Sequence, residues 1–292
     1  MRALSRLQKG IAFGALLFTF LPAVAAASDA THKSMLSFGV VPQQSASRLA
    51  QMWVPVFDHL SEKTGVRIQF ATAKDIPTFE ACLALGAYDL AYMNPYHYTT
   101  FHDLAGYDAF ARQAEKRLRG LIVVRADSTY ERLEELDDQS IAFPSPAAFG
   151  ASVIPRAEMT SRAMTIRPAY VKSHDSVYRA VIAGLFPAGG GVLRTFNSVP
   201  ADERAKLRVL YRTDAYTPHA FAAHQRVDPN LVDRLVEVMG SMDEDRPALL
   251  RAIGMRGVRR AVDADWNDVR ALHLSRSQTD IVLGEQLACH SG

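Results

Sequence analysis

The residues of this chain that could hold a small molecule sit at turns, not in catalytic motifs. Gln43, Asn94-Pro95-Tyr96, Ser145, Ala148-Phe149-Gly150, His174 and Thr213 all fall at or just beyond the ends of apolar segments that read as strands. Helix starts follow four of these turns, at Gln43–Ser47, Asn94–His97, Ser145–Ser152 and His174–Ser176. A helix N-terminus carries unpaired N–H groups and partial positive charge, so such turns attract anions. In open α/β sheets, ligands bind beyond the carboxyl ends of the strands, which is where these turns lie. His174 fits either an anion donor or a plain helix cap, and Phe149 reads as a cleft-lining wedge. Asn94, Pro95 and Tyr96 read as pocket residues ending a parallel strand; the alternative is a local turn with Tyr96 packing over the next helix.

Other reactive residue types are quiet. His97 and His102 are five apart, which does not place them on one helix face, and they read as surface or packing residues, not metal ligands. His219, after Pro218, reads as an unremarkable hinge-side loop residue. Asp75 and Glu80 look like solvated helix positions. Gly189-Gly190-Gly191 lacks the Lys-Ser/Thr of a phosphate-cradling loop and reads as a flexible turn. No His-Glu-x-x-His, Cys-x-x-Cys or Gly-x-Ser-x-Gly occurs, so no catalysis, metal or cofactor is expected.

The elements that must position these turns alternate from Met35 onward. A strand at 35–41 leads to a helix capped by Ser45 or Ser47. Leu49, Trp53, Val56, Phe57 and Leu60 form its apolar stripe, with Pro55 inside and Gly65 as the stop. Strands are expected at 66–70, 88–93, 109–112 and 118–124. A second set at 140–143, 169–172 and 192–196 follows, with 207–211 returning to the first lobe. Alternation of this kind implies α/β layers.

The N-terminus reads as a secretory leader over 1–27: Arg2, Arg6 and Lys9, an apolar run from Ile11 to Leu21, then small residues to Ala27. The run is shorter than the ~20 residues of a membrane span. The chain has 33 Lys+Arg and 31 Asp+Glu. Loss of the three leader bases leaves the mature part near neutral, which excludes a basic nucleic-acid-binding protein. Of two cysteines, Cys82 lies in a helical segment and Cys289 near the C-terminus. A disulfide is permitted in an oxidising compartment. The alternative is Cys82 as a buried small apolar residue.

Five segments in order resemble the phosphate/phosphite/phosphonate class of ABC-transporter substrate-binding proteins. They are Phe38-Gly-Val-Val-Pro42, Gly86-Ala-Tyr-Asp-Leu-Ala-Tyr-Met-Asn-Pro-Tyr96, Ile141-Ala-Phe-Pro-Ser-Pro146, Ser173-His-Asp175 with Ala180–Gly184, and Leu207-Arg-Val-Leu-Tyr-Arg-Thr213. The resemblance implies a type II periplasmic-binding-protein fold, two α/β lobes joined by a two-strand hinge that closes on a ligand. Lobe 1 is expected at 34–124 plus 212–285, and lobe 2 at 125–211.

The same resemblance implies a periplasmic monomer that binds a small anionic ligand for an ABC permease. A sensor feeding a membrane kinase is the alternative, with Cys82 as the candidate thiol. Phosphonate binders of the family usually carry Ser-Thr-Ser-Gly where this chain has Ala148-Phe149-Gly150-Ala151. Leu185 and Pro187 stand where acids would meet an amine, which disfavours an aminophosphonate.

Overall fold

The computed structural model describes residues 35–115, 117–274, 279–283 and 289; the leader read at 1–27 lies outside them. Among the described residues no helix is long and apolar enough to cross a membrane.

The first lobe is built on β1 (Met35–Val40), β2 (Arg67–Ala71), β3 (Leu90–Met93) and β4 (Tyr107–Gln113). Its helices are α1 (Ala46–Thr64), α2 (Ile76–Ala84) and α3 (Pro95–Ala105). The predicted stripe of α1 is the buried face, and Pro55 sits on the exposed side of a helix that continues through it. Gly65 ends α1 at φ 75°, with its N–H on Ser61 O. Pro77 near the start of α2 and Pro95 in the first turn of α3 occupy positions where a missing N–H costs nothing.

The second lobe holds β5 (Leu118–Arg125), β6 (Ser140–Phe143), β7 (Arg167–Tyr170), β8 (Ala188–Val192) and β9 (Leu207–Tyr216). A π-helical turn, Phe149–Val153, leads into α4 (Ile154–Ser161). Then come α5 (His174–Ile182), the short α6 (Leu193–Asn197) and α7 (Ala201–Arg204). The chain returns to the first lobe with β10 (Ala220–His224), α8 (Pro229–Asp245), α9 (Pro247–Ala252) and β11 (Val258–Arg260).

The first sheet runs β11-β4-β10-β3-β1-β2 and the second β7-β6-β8-β5-β9. β1, β2 and β3 are mutually parallel, as are β6, β7 and β8, so their carboxyl ends carry the helix-starting turns. The chain passes between the sheets twice, from β4 to β5 and from β9 to β10.

Three sequence expectations change. Residues 118–124 and 212–216, assigned to the first lobe, form β5 and the end of β9 in the second sheet. β9 does not return at 207–211; it pairs antiparallel with β5 along most of its length, and Leu207 packs with Leu121 and Val123 in the second lobe's core. The strand expected at 192–196 is instead the end of β8 followed by α6.

Gly189-Gly190-Gly191 is the middle of β8, hydrogen-bonded to β5, and not a flexible turn. A Cβ would lie 2.4 Å from Val177 Cγ1 at Gly189, 1.9 Å from Ala151 O at Gly190 and 2.3 Å from the Tyr178 hydroxyl at Gly191. The missing side chains let α5 and the π-helical turn sit directly on the sheet.

Cys82 and Cys289 are joined in a disulfide spanning 207 residues of chain. The bridge anchors Cys289 to α2. Ahead of that anchor, Val282 N donates to Glu80 Oε2 at 3.0 Å and Thr279 Oγ1 donates to the Tyr96 hydroxyl at 3.0 Å. Glu80, read as solvated, is buried beneath these residues and lies 3.0 Å from His97 Nε2. Asp75 is the N-cap of α2, accepting from Thr78 N at 2.9 Å.

Candidate functional site

The turns from both lobes meet at one seam. A cavity there is lined by Gln43, Asn94, Ala148, Phe149, Gly150 and His174 of the sequence candidates, together with Val41, Ile76, Ala151, Val192 and His219. Its volume is about 10 Å³, room for roughly one water. The remaining candidates stand back from it. Pro95 fills the first turn of α3, and Tyr96 turns its hydroxyl toward Thr279. Ser145 is buried just before the π-helical turn. Thr213 takes a hydrogen bond from Gly120 N at 2.8 Å within the second sheet.

The seam is small because the lobes bond to each other directly. Asn94 Nδ2 donates to Ala147 O at 3.2 Å, His174 N to Gln43 O at 3.2 Å, and Gln44 Nε2 to Ser198 Oγ at 2.7 Å. The Ser45 backbone, at the start of α1, faces the Asp175 carboxylate across the same gap and favours its charged form. The chain's own acid thus lies beside the α1 start that the sequence pattern had offered to a ligand. Burial pushes the Asp175 pKa up, against the opposing pull of Arg48.

Asn94 holds its own helix as well, its Oδ1 accepting from His97 N at 2.8 Å. The π-helical turn offers the orphan N–H groups of a helix start. Such turns recur at functional sites. Phe149 is buried with its ring edge-on to Tyr216 at 5.5 Å.

Among the described residues, two polar atoms near the seam are buried without a partner: His174 Nε2, which lines the cavity, and Ser145 Oγ, set back from it. The other edge of His174, Nδ1, lies 3.1 Å from Thr195 Oγ1. Desolvation, with Arg194 nearby, lowers the His174 pKa to about 3. His219 is driven well below its ordinary value by burial, helped by Arg194, His97 and His174. Both rings are therefore neutral at neutral pH.

Sequence reading missed two cleft residues. Arg194 reaches from the second lobe to donate to Gln43 Oε1, with its guanidinium 5.2 Å from the Tyr92 ring centroid. Gly254, at φ +74°, makes room for its stem: a Cβ there would lie 2.8 Å from Arg194 Cγ. His219 stacks on Tyr92 at 5.1 Å and its Nε2 lies 3.2 Å from Gln43 Nε2, which donates to it. Arg194 follows a strand end by two residues, the same signal that marked the other turns; the misplaced 192–196 strand hid it.

Both crossings are braced at one carboxylate. Asp268 Oδ2 accepts from Arg117 Nη2 at 2.6 Å and from Thr217 N at 2.8 Å, and Trp266 Nε1 donates to Pro218 O at 2.9 Å.

Two parallel-cored lobes, a double crossing and a seam of facing helix starts define a solute-binding protein of the type II periplasmic fold. The family described as the phosphonate periplasmic substrate-binding protein of ABC transporters matches residues 38–266, and the chain belongs to it. Its members are binding proteins of the periplasm that work with a membrane permease; they are not enzymes.

A phosphate-import protein, PhnD, of Mycolicibacterium smegmatis is 20% identical over 226 residues, covering 68% of this chain and 69% of that protein. The binding component of an ABC phosphonate transporter from Pseudomonas aeruginosa superposes with a TM-score of 0.76 at 14% identity, covering 87% of this chain and 90% of that one. A protein from Prochlorococcus marinus, solved with methylphosphonate, gives 0.74 at 14% identity, covering 82% and 97%.

Proposed function

We propose that this chain captures a small oxyanion of the phosphate, phosphite or phosphonate kind between its lobes and passes it to an ABC importer. The reading is carried by His174 Nε2, which is buried at the seam with no hydrogen-bond partner among the described residues; Ser145 Oγ, set back from the cavity, is buried and unpartnered in the same way. Leaving polar atoms unpaired in a desolvated site is costly, so a ligand that supplies partners is favoured there. With its proton on Nε2, His174 is a donor; Ser145 and the amides of the π-helical turn add others.

A tetrahedral oxyanion exceeds the space of the closed seam. Entry requires the lobes to part, exchanging bridges such as Asn94–Ala147 for bonds to the ligand. The names of the M. smegmatis and P. marinus relatives support the ligand class. Hydroxyls are lost where Ala148-Phe149-Gly150-Ala151 stands, so amides carry more of the grip. Leu185, in the place of an amine-binding acid, is exposed, which disfavours an aminophosphonate. The thiol-dependent sensor reading loses its chemistry, because Cys82 is bonded to Cys289.

Thermal unfolding with phosphate, phosphite, methylphosphonate and sulfate tests the proposal. A ligand at 100 times its Kd adds roughly 2.7 kcal/mol. Trp53, whose ring lies 4.8 Å from Tyr92, offers a parallel fluorescence signal. At least one anion should stabilise the protein, and Ser145→Ala and His174→Gln should weaken the effect. No response to any of them overturns the proposal.

A further inference from the structure

We infer that the ligand carries a second anionic group, held in a separate cavity on the hinge side of the seam. This rests on the reading above and extends it to a substrate class: compact solutes with two acidic ends, such as phosphonocarboxylates.

The hinge-side cavity measures about 430 Å³, within the range of small-molecule pockets. Val192 and His219 belong to its wall and also to the seam, so the two spaces adjoin. Four arginines line it, Arg117, Arg119, Arg194 and Arg212, against one acid, Glu115. Arg117 is neutralised by Asp268 at 2.6 Å. The other three have no acidic partner among the described residues. Arg119 Nη1 donates to Thr213 O at 2.8 Å, Arg194 donates to Gln43, and the Arg212 side chain has no hydrogen-bond partner among the described residues.

Three uncompensated guanidinium groups around one concavity repel each other, and an anion relieves that repulsion. Guanidinium forks match carboxylate and phosphonate oxygens two at a time. The same wall repels an ammonium tail. Arg194 joins the two spaces physically: held between Gly254 and the Tyr92 ring, it touches Gln43 in the seam and lines the larger cavity.

Calorimetric titration of methylphosphonate and 3-phosphonopropionate into the wild type, Arg212→Gln and Arg119→Gln/Arg212→Gln is the test. The Arg212 side chain is exposed and without a hydrogen-bond partner among the described residues, so its loss leaves the fold intact. The two-ended compound should bind the wild type at least about 10-fold more tightly than methylphosphonate, as one charge-assisted contact allows. The variants should lose that advantage and keep their affinity for methylphosphonate. Equal binding of the two compounds by the wild type, or equal weakening of both in the variants, overturns the second subsite and leaves the oxyanion reading standing. Failure of both compounds and of inorganic phosphate to bind overturns the oxyanion reading itself.

Discussion

Gly190 shows how a single missing side chain positions the site. Its Cα faces the carbonyl of Ala151 in the π-helical turn, and a Cβ would come within 1.9 Å of that oxygen. Backbone cannot step aside as a flexible side chain can. Gly190→Ala should therefore lift the turn off β8, lower stability by about 1–3 kcal/mol and weaken anion binding. Denaturant unfolding and titration with phosphate check both parts; an unchanged midpoint would mean the turn yields freely. Residues of this kind were visible in the sequence as letters but not as roles. Three consecutive glycines read as a flexible turn because the atoms they make room for lie elsewhere in the chain, at 151, 177 and 178. Asn94 and His174 were legible because a turn after an apolar strand is a local signal. Arg194, Tyr92 and His219 form one chain of contacts across the lobes; Arg194 has the local signal of a strand end, but no one segment contains the chain that joins the three.

Most elements were legible from periodicity: the α1 stripe, β1 to β6 and the fold class follow the pattern of the sequence closely. Partnership between elements was not. The end of β9, 212–216, was placed with the wrong lobe, since a strand's neighbour is set by what it packs against, here Leu121 and Val123 of β5 beside Leu207, and not by its own residues alone. The C-terminal segment is the clearest case. Glu80 looked solvated until residues 279–283 covered it, and the pairing of Cys82 with Cys289 depends on that covering. Removal of the bridge by Cys289→Ser should cost about 2–5 kcal/mol. It should also loosen the cover over the Glu80–His97 pair, raising amide exchange in α2 and α3. A melting temperature equal to wild type, under non-reducing conditions, would count the bridge as dispensable.

At the scale of the whole molecule, closure carries a pH dependence. His174 and His219 are neutral in the closed seam because burial and Arg194 oppose their protonation, His174 being held to about 3. When the lobes part, both rings meet water and return toward the ordinary histidine value near 6.5. Above that value neither form takes up a proton, and closure is unaffected. Below it the open form binds protons that the closed form refuses, so the closed form loses up to roughly 1.4 kcal/mol per pH unit for each ring. The loss continues as pH falls toward the closed-state value. In the absence of ligand, the radius of gyration from small-angle scattering should therefore rise between pH 6.5 and 5. His174→Gln/His219→Gln should flatten the change. A bound oxyanion should oppose it, since a negative charge beside His174 favours the protonated ring. A radius constant over that interval in the wild type would mean that the direct bridges of Gln43, Gln44 and Asn94 hold the lobes together more strongly than two buried neutral imidazoles oppose them.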